Sequence, residues 1–168
     1  INFSGVSTGY IFDSQTQWVS DHVVDENIAL TVHLGDIVDL SVESVWVNAL
    51  NSLAYVDGLT PLILTAGNHD IAELVNKGTS SHITSYKLFN KHFPENRFNK
   101  FSWFGGVFEK GKIENAYYFF SFAGVEYVIL ALEYAPRDKT LDWADKIVET
   151  FSKKKAIVVT HAYMAKGS

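Results

Sequence analysis

Cysteine is absent from this 168-residue chain. Its absence excludes disulfide bridges, thiolate metal ligands and cysteine nucleophiles, although it does not decide the cellular compartment. No apolar run reaches the ~18 residues that a membrane-spanning helix needs. We therefore expect no membrane span, and any metal site must be built from nitrogen and oxygen donors.

An excess of basic residues is also absent, since the formal net charge is -5. The only basic run is Lys153-Lys154-Lys155, which we interpret as a solvated helix end that leads into a strand. Bulk attraction to nucleic acid is therefore not expected. The chain is 47% hydrophobic and 14% aromatic, which is ample for one core, and we expect residues 1–168 to form a single domain.

Polar side chains follow three apolar, strand-like runs. The runs are Ile28 to Leu34, Leu62 to Thr65 and Ala156 to Thr160. Buried polar groups must be paired or must coordinate something, and the carboxyl ends of parallel strands form the sites of open α/β sheets. The side chains that could converge there suit Zn, Fe or Mn, and they are Asp36, Asn68, His69 and His161.

Hydrophobic periodicity predicts the elements between these runs. A helix is predicted from Asp13 to Glu26, and another from Val42 to near Gly58, with Ser41 as its N-cap. The second helix lies between two strands, so those strands should be parallel. Alternation around Ala123-Gly124 predicts a hairpin, and Asp138 should cap a helix before the last strand.

The middle of the chain is interpreted mainly as loop. Residues 71–81 are polar and predicted to be a loop, and residues 83–92 are predicted to be a short helix. Residues 93–111 read as a long aromatic loop, a feature that is usually functional in a compact domain. Its rings around Trp103 and Phe104 either wall a substrate pocket or cover the core.

The polar runs also carry a family resemblance. Gly35-Asp36-Ile37-Val38-Asp39 resembles the GDxxD motif of the calcineurin-like metallophosphoesterases, and Gly67-Asn68-His69-Asp70 resembles their GNH(D/E) motif. Val158-Val159-Thr160-His161 resembles their third signature, a lone histidine after an apolar strand. The resemblance, which points to a bacterial branch, covers nearly the whole chain. It implies an α/β fold, a sandwich of two mixed β-sheets flanked by helices.

The resemblance also implies roles for individual residues. Two divalent or trivalent metal ions (Zn, Fe or Mn) would clamp the phosphoryl group of a phosphoester substrate. Asp36 would bridge both ions, while Asn68 and His161 would bind the second ion. His69 would act on the leaving oxygen without binding metal, and Asp39 would orient His69. Each residue also has a purely structural alternative. Asp36 or Asp39 could cap a helix, Asn68 could be a turn residue, and His161 could be a hydrogen-bonded core histidine.

Two motifs of the family have no counterpart here. No Asp-x-His or Asp-x-Gln precedes Phe12, and no Gly-His-x-His follows His161. We therefore expect a partial domain, incomplete at its termini. The function implied is metal-dependent hydrolysis of a phosphomonoester or phosphodiester by two metals. The alternative is a binding or scaffold domain of the same fold without a complete metal site. A nucleotide-binding domain is disfavoured because a glycine-rich phosphate loop is missing.

Four histidines and one glutamate have less specific contexts. We expect His33 to pack in the core with a hydrogen bond. Glu133 either lines the site or is structural, and it belongs to a segment, residues 132–138, that resembles a bacterial subset of the family. The histidines expected at the surface or at helix caps are His22, His82 and His92.

Overall fold

A computed structural model describes residues 9–75 and 82–162 of the protein. The helices are α1 (Gly9–His22), α2 (Glu43–Leu53), α3 (Lys87–His92), α4 (Glu95–Phe98) and α5 (Asp138–Thr150). The strands are β1 (Thr31–His33), β2 (Leu62–Leu64), β3 (Ala72–Val75), β4 (His82–Ser85), β5 (Phe104–Glu109), β6 (Lys112–Phe122), β7 (Val125–Ala131) and β8 (Lys155–Val159). No helix in these residues has the length and hydropathy that crossing a membrane requires.

Two sheets form the body of the molecule. The first pairs β1 with β2 in parallel, from Thr31 opposite Leu62 to His33 opposite Leu64. The second is mixed and has the order β5-β6-β7-β8, with only β7 and β8 parallel. β3 and β4 form a separate antiparallel pair. The predicted α/β class, with two sheets and flanking helices, is confirmed, as are the parallel β1-α2-β2 unit and the β6-β7 hairpin.

The core lies on both faces of β2. Leu62 and Leu64 pack with Trp46 of α2 and Phe89 of α3 in one cluster. Ile63 points the other way and packs with residues of the second sheet, among them Tyr118. A strand that is buried on both faces reads as a continuous apolar run rather than an alternating one. This burial holds the loop that follows β2 in a fixed position.

The aromatic segment between residues 93 and 111 is not the loop that the sequence suggested. It contains α4 and β5, and Phe98 is buried in the first core cluster. Trp103 and Phe104 pack against both clusters. These rings therefore cover the core, which was the second of the two interpretations. The prediction failed because β5 contains Gly105 and Gly106, which give no strand signal.

Other local predictions were also wrong. Residues 72–75 and 82–85 are strands, so α3 begins only at Lys87, and residues 76–81 lie outside the described part. The N-caps are Val42 and Arg137, not Ser41 and Asp138, and neither cap makes a side-chain hydrogen bond. The Ser41 hydroxyl instead donates to the carbonyl oxygen of Asp70 at 2.9 Å.

For the described histidines outside the site, the sequence-based predictions are only partly correct. His22 lies at the end of α1 and its Nδ1 bonds to the carbonyl of Trp18, as expected for a capping residue. His92 is largely buried and stacks on Trp46, so the prediction of a surface residue was wrong. His33 packs against Phe12, but within residues 9–75 and 82–162 its Nδ1 has no hydrogen-bond partner, contrary to our expectation.

Candidate metal centre

The loops that follow β1 and β2 meet at Asp36. Its Oδ1 accepts a hydrogen bond from the backbone N–H of His69 at 3.0 Å. Asp36 has a φ of 53°, in the left-handed region that aspartate tolerates better than most residues. A Cβ on Gly67 would collide with the Asp36 carboxylate. The two motifs are therefore in direct contact and hold the carboxylate in place.

Gly35 is the point where all three strand ends come together. Its φ is 93°, and a Cβ there would lie 2.7 Å from the backbone N of Gly67 and 2.7 Å from Nδ1 of His161. Only a residue without a side chain allows this approach. The spatial convergence of the three polar strand ends, expected from the sequence, is thus present.

His161 faces Asp36 across the site. Its Nδ1 lies 2.8 Å from the carbonyl oxygen of Leu34, and because a carbonyl only accepts, Nδ1 carries the hydrogen. Its Nε2 lies 3.3 Å from Oδ2 of Asp36. In a neutral imidazole these two atoms are both acceptors, so they need a proton or a metal ion between them. A histidine whose other nitrogen bonds to a carbonyl is a typical metal ligand, and the pair therefore fits a cation.

Asn68 lies between Gly67 and His69, both of which contact Asp36. Its side chain is exposed, and among the described residues none hydrogen-bonds to its amide. Across residues 9–75 and 82–162, no three His, Asp or Glu side chains gather into a metal-binding group. Asp36 and His161 thus form a pair of possible ligands, and a third donor from the Asn68 amide stays a prediction. These residues fit one ion, and the described residues supply no ligand set for another.

The His69 ring lies closer to the backbone carbonyl of Asp39 than to the carboxylate of Asp39. Its Nδ1 donates to the carbonyl oxygen of Asp39 at 2.7 Å, whereas the Asp39 carboxylate lies 3.6 Å away. The bond to the carbonyl is the main reason why the pKa of His69 is raised, with smaller contributions from the charges of Asp36, Asp39 and Asp70. The His69 side chain is 45% exposed. Its Nε2 is therefore accessible to a ligand.

Asp70 connects the loops that follow β1 and β2 through hydrogen bonds to its carboxylate. It is fully buried, and its carboxylate accepts hydrogen bonds from the N–H of Val38 at 3.0 Å and of Gly67 at 2.8 Å. Burial raises the pKa of Asp70 to about 6, and the bonds from Gly67, Val38 and Ile37 oppose that shift. Asp70 therefore fixes the loops after β1 and β2 relative to each other.

Sequence reasoning missed two contributors to the site. The carbonyl of Leu34 orients His161, but a backbone group has no sequence signal. The Tyr134 ring lies 6.1 Å, centroid to centroid, from the His161 ring. Glu133, next to it, is structural: it is 3% exposed and accepts from Nε and Nη2 of Arg137, both at 2.8 Å.

Comparisons with known proteins identify a family and a relative of this chain. The family model described as calcineurin-like phosphoesterase matches residues 9–168. Among curated proteins, the chain is similar to the uncharacterized protein YvnB of Bacillus subtilis (strain 168), with 31% identity over 158 residues. That match covers 92% of this chain and 11% of YvnB, so the chain spans a small fraction of its relative. No solved structure matches the chain significantly.

Proposed function

Because the chain belongs to the calcineurin-like phosphoesterase family, we propose that it hydrolyses a phosphomonoester or a phosphodiester with two bound metal ions. The described residues offer ligands for one of these ions, so the remaining ligands of the second ion would have to come from outside them. The family supports metal-dependent phosphoester hydrolysis as the kind of function. The observation that carries the proposal is the 3.3 Å approach of His161 Nε2 to Asp36 Oδ2, because two acceptors so close together are stabilised by a metal ion between them, or otherwise by a proton.

Asp36, Asn68 and His161 would hold metal. Asp36 has two carboxylate oxygens and can bridge two ions, while Asn68 and His161 each offer one donor atom. Oxygen and imidazole donors suit Zn, Fe and Mn. Metal ions held there would neutralise the phosphoryl charge and would supply a nucleophile from water at neutral pH.

His69 would assist departure of the leaving oxygen. Its Nδ1–H is committed to the Asp39 carbonyl, so the imidazolium form has only Nε2–H to donate. The bond to the Asp39 carbonyl raises the pKa of His69, which favours the imidazolium form. Asp39 holds the ring orientation through its carbonyl, and its carboxylate adds a favourable charge nearby.

A metal-poor binding or scaffold domain of the same fold is the second candidate. The observation that favours it is that no three His, Asp or Glu side chains in the described ranges form a ligand group. Metal analysis of the full-length protein separates the two candidates. Stoichiometric metal supports the hydrolase, and its absence after loading with Mn²⁺ or Zn²⁺ supports the scaffold.

The ligand assignment is tested by Asp36→Asn in the full-length protein. We expect loss of bound metal and of turnover of a chromogenic phosphomonoester and phosphodiester, because an amide cannot bridge two cations. Asp145→Asn, on the exposed face of α5, is the matched control and should keep both. Full turnover in Asp36→Asn would refute the bridging role.

The role of His69 is tested by His69→Asn. We expect kcat to fall by roughly 10²-fold or more, as for other general acids, while the bound metal stays unchanged. Metal content is measured alongside kcat. A variant that loses metal as well would show that His69 is a ligand instead.

A further inference from the structure

A cavity of about 860 Å³ opens beside the candidate metal centre. It lies between α3, the β5-β6 hairpin and the segment that joins β7 to α5. Tyr134 lines it, and the ring of Tyr134 also lies 6.1 Å, centroid to centroid, from the ring of His161. Cavities of several hundred Å³ are typical of small-molecule sites. A ligand at the metal centre could therefore extend past Tyr134 into this space.

The cavity is basic although the molecule is acidic. Three acidic side chains line it, Glu109, Glu114 and Glu133, against five basic ones. Lys91 is paired with Glu43 at 2.6 Å, so the surplus of positive charge that remains in the lining is small, but it contrasts with the net charge of -5 for the whole chain. The basic side chains come from separate elements and are Lys87, Lys91, Lys112, Arg137 and Lys139.

Glu109 is shared by three of these cations. Its carboxylate lies 2.5 Å from Nζ of Lys112, 3.5 Å from Nζ of Lys139 and 3.8 Å from Nη2 of Arg137. Arg137 also pairs with Glu133, so Glu109 is the nearest carboxylate for the two lysines and cannot neutralise both of them. Exposed ion pairs of this kind are weak in water, so an incoming anion can compete with Glu109 for them.

Arg137 is fixed in orientation by another carboxylate, that of Glu133. Its Nε and Nη2 donate to the buried carboxylate of Glu133, which also accepts from the hydroxyl of Thr140 at 2.6 Å. Among the described residues, none accepts a hydrogen bond from Nη1 of Arg137, so this group can donate to a ligand. A guanidinium fixed in this way suits a phosphate or carboxylate oxygen.

We propose that this cavity binds a second anionic group, a phosphate or a carboxylate, on the part of the substrate that is not hydrolysed. The inference rests on the proposed function and narrows its substrate class to small phosphoesters with a second negative charge. Lys112, Lys139 and Arg137 bind that group, and Glu109 is the carboxylate that it displaces.

Binding of inorganic phosphate to the metal-free protein tests the cavity without any turnover. His69 at the metal centre can also attract an anion, so the lysine variants, and not the binding signal alone, assign the bound phosphate to the cavity. We expect Lys112→Ala/Lys139→Ala to weaken binding at least 10-fold in titration calorimetry. Lys146→Ala, on the same helix as Lys139 but outside the cavity, should bind as the parent does.

Glu109→Gln gives the opposite result if the proposal is right. Removing the competing carboxylate should tighten phosphate binding several-fold, whereas a purely structural ion pair predicts no gain. Glu149→Gln, in the last turn of α5, is the matched control. Unchanged or weaker binding in Glu109→Gln, or unchanged binding in the double lysine variant, overturns the proposal.

Turnover by the metal-loaded full-length protein then tests substrate choice. 4-Nitrophenyl phosphate is compared with an analogue that carries a carboxylate on its ring. The double lysine variant should raise KM for the analogue about 10-fold and leave KM for the parent compound unchanged. Equal effects on both substrates refute the inference alone. If neither substrate is hydrolysed, the proposed function fails, and the phosphate titrations still decide whether the cavity binds anions.

Discussion

Two glycines, Gly35 and Gly67, allow the loops that carry the candidate ligands to come into contact. The space at Gly67 is occupied by Asp36, and the space at Gly35 by Gly67 and His161. At the residue scale, then, the motif glycines are required by contact between loops and not by turn geometry alone. This explains why each precedes a ligand-bearing position.

Gly35→Ala is expected to destabilise the protein by about 2–4 kcal/mol, since it adds backbone overlap to the strain of a positive φ. Gly58→Ala is the control, because Gly58 has a φ of 80° but open space around its Cβ position. That variant should cost only about 1 kcal/mol. Urea unfolding measures both, and equal costs would show that the contacts at Gly35 are not tight.

The sequence predicted which side chains lie close together, but not which atoms make the closest contacts. Asp36 and His161 were identified by type and position, and they lie together. The Asp39 carboxylate was expected to hold His69, whereas the Asp39 carbonyl makes the closer contact. Backbone groups are identical in every residue, so only tertiary placement shows which of them is used.

At the scale of elements, the start of α5 depends on the end of β7. Glu133 follows β7 and accepts bonds from Arg137 and Thr140 at the first turn of the helix. Burial raises the pKa of Glu133, but the hydrogen bonds from Arg137 and Thr140 outweigh it, so the net pKa is lowered. The helix therefore begins where Glu133 anchors it, and Asp138 is not needed as a cap.

Glu133→Gln should destabilise the protein by about 2 kcal/mol, because it removes the charge from a buried, multiply hydrogen-bonded acceptor. Glu126→Gln is the control, as Glu126 is 62% exposed and pairs with Lys154 at the surface. That change should cost less than about 1 kcal/mol. Thermal and urea unfolding compare the two, and similar losses would contradict the anchoring role.

The two sheets act together at the scale of the whole molecule. β1 and β2 deliver Asp36 and Asn68, and β8, from the other sheet, delivers His161. Ile63 and Tyr118 belong to the core between the sheets that fixes this alignment. The candidate site therefore exists only when both sheets are packed, and its integrity should follow global folding.

The pH dependence of folding provides a global test. Burial is the main cause that lowers the pKa of His33 from 6.5 to about 4. Between those values the unfolded chain binds a proton that the folded chain excludes, so stability falls as pH drops from about 6.5 towards 4. In metal-free protein this contribution should be on the order of 2–3 kcal/mol.

Replacing His33 with Gln should remove that part of the pH slope, measured as unfolding free energy in urea at pH 7 and pH 4.5. His22→Gln removes a partly exposed histidine at the end of α1 and should keep the slope of the parent. Comparing slopes cancels the contributions of other groups, including Asp70. Identical slopes in the parent and in His33→Gln would refute the assignment.

The sequence by itself determined the α/β class, the parallel pair around α2, the hairpin at Ala123-Gly124 and the polar residues that follow three strands. These features depend on local periodicity and on short motifs, which neighbouring residues along the chain specify. The strand character of residues 104–109, the burial of His92 and the carbonyl partners of His69 and His161 were decided by tertiary structure. The same holds for the basic cavity: the sequence shows no basic cluster beyond residues 153–155, yet packing gathers Lys112, Arg137 and Lys139 around Glu109. Charges far apart in sequence become neighbours only when the sheets and helices assemble.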